Sequence, residues 1–311
     1  MNLLGDVKMK EQTKGLFYAF YSAIFNSTFA VSTKYLLQSV SQSALMPLWF
    51  IIASVMSFFV GLKSDKKELF ASLKKHWKAG LIIGITNMAA AFFFFTSVRV
   101  IGPAPSAFLA KFDIIFILIL GFLFFRERLN LNELIGVLIA IIGGFIFAFS
   151  SAHLTLNAYL GILAAIAIGL NTLFARLFIQ NISVWVLQIY RTTITAAGFL
   201  LLALLLGDFA IPELHILILI ALGTLLSAVI GLGFYYSALR HIKASIAAII
   251  RNLEPFLVVI YAYPLFRTFP SLMEWIGGII IVTGFTITIL AMNNNHKKIY
   301  KKTKFSVSQH G

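Results

Sequence analysis

The sequence predicts an all-α membrane protein with ten transmembrane helices arranged as two inverted five-helix repeats. Three observations carry this expectation. Of 311 residues, 60% are hydrophobic and only 12% are charged, about half the charged share of a soluble domain. Apolar runs of about 20 residues, the length that crosses the hydrocarbon of a bilayer, recur along nearly the whole chain. The chain also overlays on itself. Shifted by 141 positions, Arg99 falls on Arg240, Asp113 on Glu254, Phe125-Arg126 on Phe266-Arg267, Glu133 on Glu274, Gly136 on Gly277 and Gly143 on Gly284. Five spans lie between a residue and its match, and an odd number of crossings reverses direction, so the second copy is expected to be inverted.

The ten spans are expected at 15–35, 43–62, 79–98, 104–125, 131–150, 157–178, 184–206, 215–238, 244–266 and 272–292. The first follows Lys8, Lys10 and Lys14 and ends in Lys34 without a small-residue cleavage site, so it reads as a retained span and not as a signal peptide. Polar connectors then punctuate the chain, at Leu62 to Lys78, Asn130 to Asn132, Ser150 to Asn157 and Gly207 to His215. Between the third and fourth spans only Arg99 to Pro103 intervenes. The opening spans of each half also match, at an offset of 145, with Asn26 on Asn171, Phe29 on Phe174 and Ala30 on Ala175. The change of offset marks a few residues of loop gained or lost between the copies. The chain therefore divides into a first repeat at 1–150, a second at 151–292 and a basic tail at 293–311.

A formal charge of +14 raises the question of nucleic acid, and its placement answers it. On one set of span ends lie Lys8, Lys10, Lys14, the lysines between Lys63 and Lys78, Arg126, Arg128, Arg176, Arg240, Lys243 and the lysines of the tail; on the other lie Lys34, Arg99 and Arg267. By the positive-inside rule both termini are cytoplasmic, and the basic tail is expected to meet anionic lipid. No nucleic-acid partner is expected. The Lys-, Asn- and Phe-rich composition fits an AT-rich bacterial genome, and hence a bacterial cytoplasmic membrane.

Four charged side chains sit inside spans: Lys111 and Asp113 in the fourth, Arg251 and Glu254 in the ninth. A charge at the bilayer centre costs on the order of 2.5–3.5 kcal/mol on insertion scales, so these are candidate site residues. Arg251 and Glu254 are three apart on one helix face and can pair directly. Lys111 and Asp113 point about 200° apart on a helix, so each needs another partner: Glu254 for Lys111, and Arg251 or Arg191 for Asp113. Pro255 cannot donate to the carbonyl of Arg251 and is expected to kink the ninth span. The cluster admits two readings, a structural ion network or a site for a polar or zwitterionic substrate. A coupling proton on a carboxylate, or an exchanged metabolite, are the further partners such a site could have. Asn26, Asn171, Tyr190, Arg191 and Trp49 are the additional candidates for substrate binding, with helix–helix hydrogen bonds and aromatic packing as the alternative for each. The glycines at 136, 143, 144, 277, 278 and 284, and the Gly80 to Gly84 spacing, read as tight helix packing.

Enzyme signals are lacking. The sequence has no cysteine, no nucleophile elbow, no zinc-binding His-Glu-x-x-His and no phosphate loop. Its six histidines are scattered. No cofactor and no metal are expected.

The segment Leu253-Glu254-Pro255-Phe256, running to Arg267, Gly277 and Gly284, resembles the second repeat of EamA-type transporters of the drug/metabolite transporter superfamily. Phe124-Phe125-Arg126-Glu127-Arg128-Leu129, followed by Glu133, Gly136 and Gly143, is similar to the end of the first repeat. The resemblance covers almost the entire chain. It implies a ten-helix bundle, a central cavity surrounded by spans one to four and six to nine, peripheral fifth and tenth spans, and alternating access. It also implies a small-metabolite cargo, amino-acid-like or cofactor-like. Two departures stand out. Asp113-Ile114 replaces the family's more usual apolar residue and proline, which adds charge near the cavity, and Thr268 stands where a glutamate equivalent to Glu127 is common. The expected function is a secondary transporter of a small polar or zwitterionic metabolite. The alternatives are a non-transporting receptor or accessory subunit, and a translocase of a lipid-linked substrate.

Overall fold

In the computed structural model the described residues are 3–63, 66–116, 131–150, 152–179, 181–242, 247 and 250–307, and every regular element among them is helical. In chain order the helices are α1 (Leu3–Leu36), α2 (Gln42–Gly61), α3 (Lys66–Lys75), α4 (Trp77–Ile101), α5 (Pro103–Ala110), α6 (Leu131–Ala148), α7 (Ala152–Phe178), α8 (Val184–Leu205), α9 (Leu214–Thr224), α10 (Leu232–His241), α11 (Glu254–Phe266) and α12 (Leu272–Val307). A π-helical stretch, Leu225–Gly231, joins α9 to α10. Five described segments are long and apolar enough to cross a membrane: Gln42–Gly61, Trp77–Ile101, Leu156–Phe178, Val184–Leu205 and Leu214–His241. Leu134–Phe147, Glu254–Phe266 and Leu272–Thr288 are shorter apolar helices.

Local chemistry sets several ends. Ser41 and Ser183 cap α2 and α8 in the same way, each side chain accepting the backbone N–H three residues on, from Ala44 and Val186. Ser271 and Glu274 form a reciprocal capping box at the start of α12, with Glu274 N–H donating to the Ser271 hydroxyl at 3.2 Å and Ser271 N–H to the Glu274 carboxylate at 2.5 Å. Gly102, at φ 92°, ends α4, and Pro103 opens α5. Only a residue without a Cβ turns there without strain.

Two expected spans are not continuous helices. The fourth, expected at 104–125, is helical to Ala110, turns at Lys111–Phe112 and resumes at 113–116; residues 117–130, including Arg126, Arg128 and the connector's start, lie outside the described residues. The ninth, expected at 244–266, has a turn at Asn252–Leu253 and becomes helical at Glu254; Lys243 and most of 243–249 lie outside the described residues. Shifted by 141, Lys111–Phe112 falls on Asn252–Leu253, so both copies break at the same repeat position, one residue before their carboxylate. Pro255 explains the second break, because it leaves the Arg251 carbonyl without a helical donor. No proline stands at Ile114. There the turn is carried by three-residue hydrogen bonds, Lys111 N–H to Phe108 and Phe112 N–H to Leu109, both at 3.1 Å. A second difference lies between the second and third spans, where the connector holds the helix α3 and is not a simple loop.

Contacts between helices give their relative directions. Along α1 and the α9–α10 segment, Gly15 meets Ile242, Gly231 meets Asn26 and Gly223 meets Ser32, so these run antiparallel. The α2 and α8 pair is antiparallel as well, with Phe50 beside Phe199 and Ser54 bonded to Thr193 at 2.5 Å. In contrast α4 and α8 run parallel, since Gly80 packs on Tyr190, Gly84 on Ile194 and Met88 on Gly198. The same holds for α5 and α7, through Leu109 on Gly161 and Asp113 on Gly169. All four directions are those that strict alternation of the expected spans requires.

The seam between α6 and α12 joins repeat mates. Gly136 lies against Gly284 and Thr288, while Gly143 lies against Gly277 and Ile281. Each glycine thus touches the mate of the other, a self-complementary contact of the kind a two-fold axis generates, and the helices are antiparallel. Small residues let their backbones approach closely.

Candidate functional site

Helices α1, α2, α4, α5, α7, α8, α10 and α11, together with the π-helical stretch, Lys111 and Asp113 at the first break and Arg251 just before the second, line a cavity of about 170 Å³. None of its described lining residues comes from α6 or α12. The two broken spans meet here. Glu254, at the first position of α11, is 6% exposed and gathers three partners. Lys111 Nζ lies 2.7 Å from Oε2, Arg251 Nε lies 2.7 Å from Oε1 with Nη2 3.3 Å from Oε2, and Asn26 Nδ2 donates to Oε1 at 3.2 Å. The Arg251 guanidinium also stacks over the ring of Tyr235, 4.4 Å from its centroid. The direct Arg251–Glu254 pair and the Lys111–Glu254 pair follow the sequence expectation. The turn at Lys111 makes the second one reachable, and it brings the two copies of the repeat into one ion cluster.

Asp113 lines the same cavity and departs from expectation. It lies within electrostatic reach of Lys111, Arg251 and Glu254, and the neighbouring Ile114 N–H donates to the Lys111 carbonyl at 3.3 Å. It has no ion-pair partner among the described residues, so neither Arg251 nor Arg191 pairs with it directly.

Arg191 is buried, 5% exposed, and lines the cavity; it does not snorkel to a surface. Its donors go to neutral groups: Asn87 Oδ1 at 3.0 Å, Gln188 Oε1 at 3.3 Å and the Ala228 carbonyl at 3.5 Å. Gln188 donates to the same Ala228 carbonyl. Ala228 belongs to the π-helical stretch, where carbonyls leave the regular α pattern.

Asn171 lines the cavity and donates to the Ile83 carbonyl at 2.9 Å and Thr86 Oγ1 at 3.0 Å, so it also fastens α7 to α4. Trp49 is fully buried in the cavity wall, packed on Phe29 and Phe95, and its indole N–H has no acceptor among the described residues.

Tyr190 is a correction. It is not among the cavity residues: its hydroxyl donates to the Leu73 carbonyl of α3 and its ring covers Gly80. Neighbouring residues on a helix point about 100° apart, so with Arg191 directed inward Tyr190 faces α3 and α4. Asn87, Gln188 and Ser227 are site or supporting residues that sequence reasoning passed over. The available signal was a polar side chain in an apolar span, which Asn87 and Gln188 both give.

Apolar helices closed around a charged cavity, with broken spans at the cavity, are the build of a membrane transporter. The EamA-like transporter family model matches residues 13–149 and again 155–290. The chain belongs to that family, and each match covers one copy of the repeat. An uncharacterized transporter of Methanothermobacter thermautotrophicus is 24% identical over 287 residues, covering 86% of this chain and 83% of that protein. A protein of known crystal structure superposes with a TM-score of 0.67 at 18% identity, covering 90% of this chain and 98% of the other. That likeness concerns the fold.

Proposed function

We propose that this protein is a secondary transporter with ten spans in two inverted fives, moving a small polar or zwitterionic metabolite across the bacterial cytoplasmic membrane by alternating access, with both termini cytoplasmic. The observation that carries the reading is the cavity itself. Charged residues from the matching breaks of both repeats line one cavity, Lys111 and Asp113 from one copy and Arg251 and Glu254 from the other. Charges buried among apolar helices are expensive and mark substrate or ion pathways. The antiparallel contact of repeat mates α6 and α12 supports a two-fold axis in the membrane plane, about which the halves exchange roles. Asp113 lines the cavity and has no ion-pair partner among the described residues, which makes it the carboxylate best placed to receive a substrate amine.

The test is exchange in proteoliposomes loaded with a bacterial metabolite extract, with efflux read by mass spectrometry. Wild type is expected to release a defined set of polar compounds that protein-free vesicles retain. Asp113→Asn and Lys111→Ala are expected to abolish release while still reaching the membrane. Unfolded protein in both variants would make the cluster a structural network, and no release by folded wild type would end the transporter reading.

A further inference from the structure

Five charged side chains line the cavity, and four of them balance. Lys111 and Arg251 supply two positive charges, Asp113 and Glu254 two negative ones. Arg191 is the fifth. Its guanidinium stays protonated in any folded protein, and among the described residues only neutral oxygens touch it. A cation buried without a counter-ion carries a large desolvation cost. A second observation lies farther along the cavity lining, on the side of Phe29 and Phe95. Trp49 Nε1–H is buried and without an acceptor among the described residues, a state native proteins rarely tolerate. Both groups are donors in want of an acceptor. The backing is firm: Asn87, Gln188 and Ala228 hold the guanidinium while leaving part of its five-donor fork unused.

We propose that Arg191 is the anion subsite of this cavity. A carboxylate or phosphate of the transported molecule supplies its missing counter-ion, and the Trp49 indole N–H, farther along the cavity, is a donor for a second acceptor of that molecule. The proposal rests on the transporter reading and narrows it to cargo with an anionic group. Lys111 and Arg251 are already paired with Glu254, which leaves Arg191 as the cation for the anion and Asp113 open to an amine.

Thermal unfolding of the purified full-length protein tests this against matched compounds. Amino acids are compared with their amides, which lack the carboxylate, and with their N-acetyl forms, which lack the amine. Nucleoside monophosphates are compared with nucleosides. A ligand of the folded state raises Tm by mass action. Members with an anion are expected to raise Tm where their neutral-ended counterparts do not, and which series responds separates carboxylate from phosphate. Arg191→Gln is expected to weaken that binding by about ten- to a hundredfold, the scale of a charge-assisted hydrogen bond. Arg191→Lys keeps the charge without the planar fork and is expected to lose less, and Trp49→Phe less still. The two milder variants also serve if Arg191→Gln does not fold. Equal stabilisation by amides and nucleosides, undiminished anion binding in the Arg191 variants, or no shift with any anion overturns the proposal. Reconstituting the same preparations separates the two levels. Transport indifferent to the anion sinks the subsite alone, whereas anion-selective binding without transport sinks the transporter reading alone.

Discussion

The α6–α12 seam and the meeting of the fourth and ninth spans are both contacts between repeat mates, built from opposite materials. At the seam the mates stay helical and touch through glycines, Gly136 on Gly284 and Gly143 on Gly277. At the cavity both mates break, at Lys111–Phe112 and Asn252–Leu253, and their contact is ionic, Lys111 to Glu254 at 2.7 Å. An unbroken helix satisfies its own backbone and can pack dry on lipid and on its neighbour. A broken helix leaves polar backbone that tolerates burial only beside a cavity or other polar groups. The two halves thus meet through two kinds of contact, glycine packing at one and charge at the other.

The largest expected effect is at the centre of the ionic contact. Glu254→Gln leaves Lys111 and Arg251 buried without their carboxylate, a loss of about 3–5 kcal/mol, and should appear as a large fall in Tm or in recovered folded protein. Unchanged stability would show that the broken spans are held by something else. At the seam, Gly284→Val puts a side chain onto the Ala140 backbone, and forced overpacking costs about 1–3 kcal/mol. This variant should lower Tm while leaving ligand selectivity intact, and a change of selectivity would erase the division between the regions. A double-mutant cycle on Lys111→Met and Glu254→Gln sharpens the comparison further. Direct contact predicts a coupling of about 0.5–3 kcal/mol in thermal unfolding, whereas Gly284→Val with Glu254→Gln should be additive. The smallest effect is expected for Asn26→Ala, which removes a 3.2 Å hydrogen bond to Glu254, worth about 1.5–3 kcal/mol when the acceptor is charged and less here because two cations remain on the carboxylate.

Much of this arrangement was legible in the residues. Lys111, Asp113, Arg251 and Glu254 announced themselves as charges in apolar runs, and the spacing of Arg251 and Glu254 sufficed to pair them. Glycines repeating at the 141 offset pointed to a seam. Tyr190 and Arg191 show the limit. Adjacent in sequence and alike in their apolar surroundings, they point to different neighbours, and which faces inward depends on the rotation of α8 against α4. The break at Lys111–Phe112 was hidden too, since no proline or glycine marks it, while Pro255 marked its counterpart.

Sequence by itself determined the solvent, the repeat and the cost of each buried charge, because these depend on residue type and order along one chain. The tertiary structure decided the partners. Lys111 reaches across to Glu254, Asp113 has no ion-pair partner among the described residues, and Arg191 turns into the cavity among neutral groups. Ion pairs form or fail over a few ångströms, a scale set by how helices rotate and break against one another and not by their order.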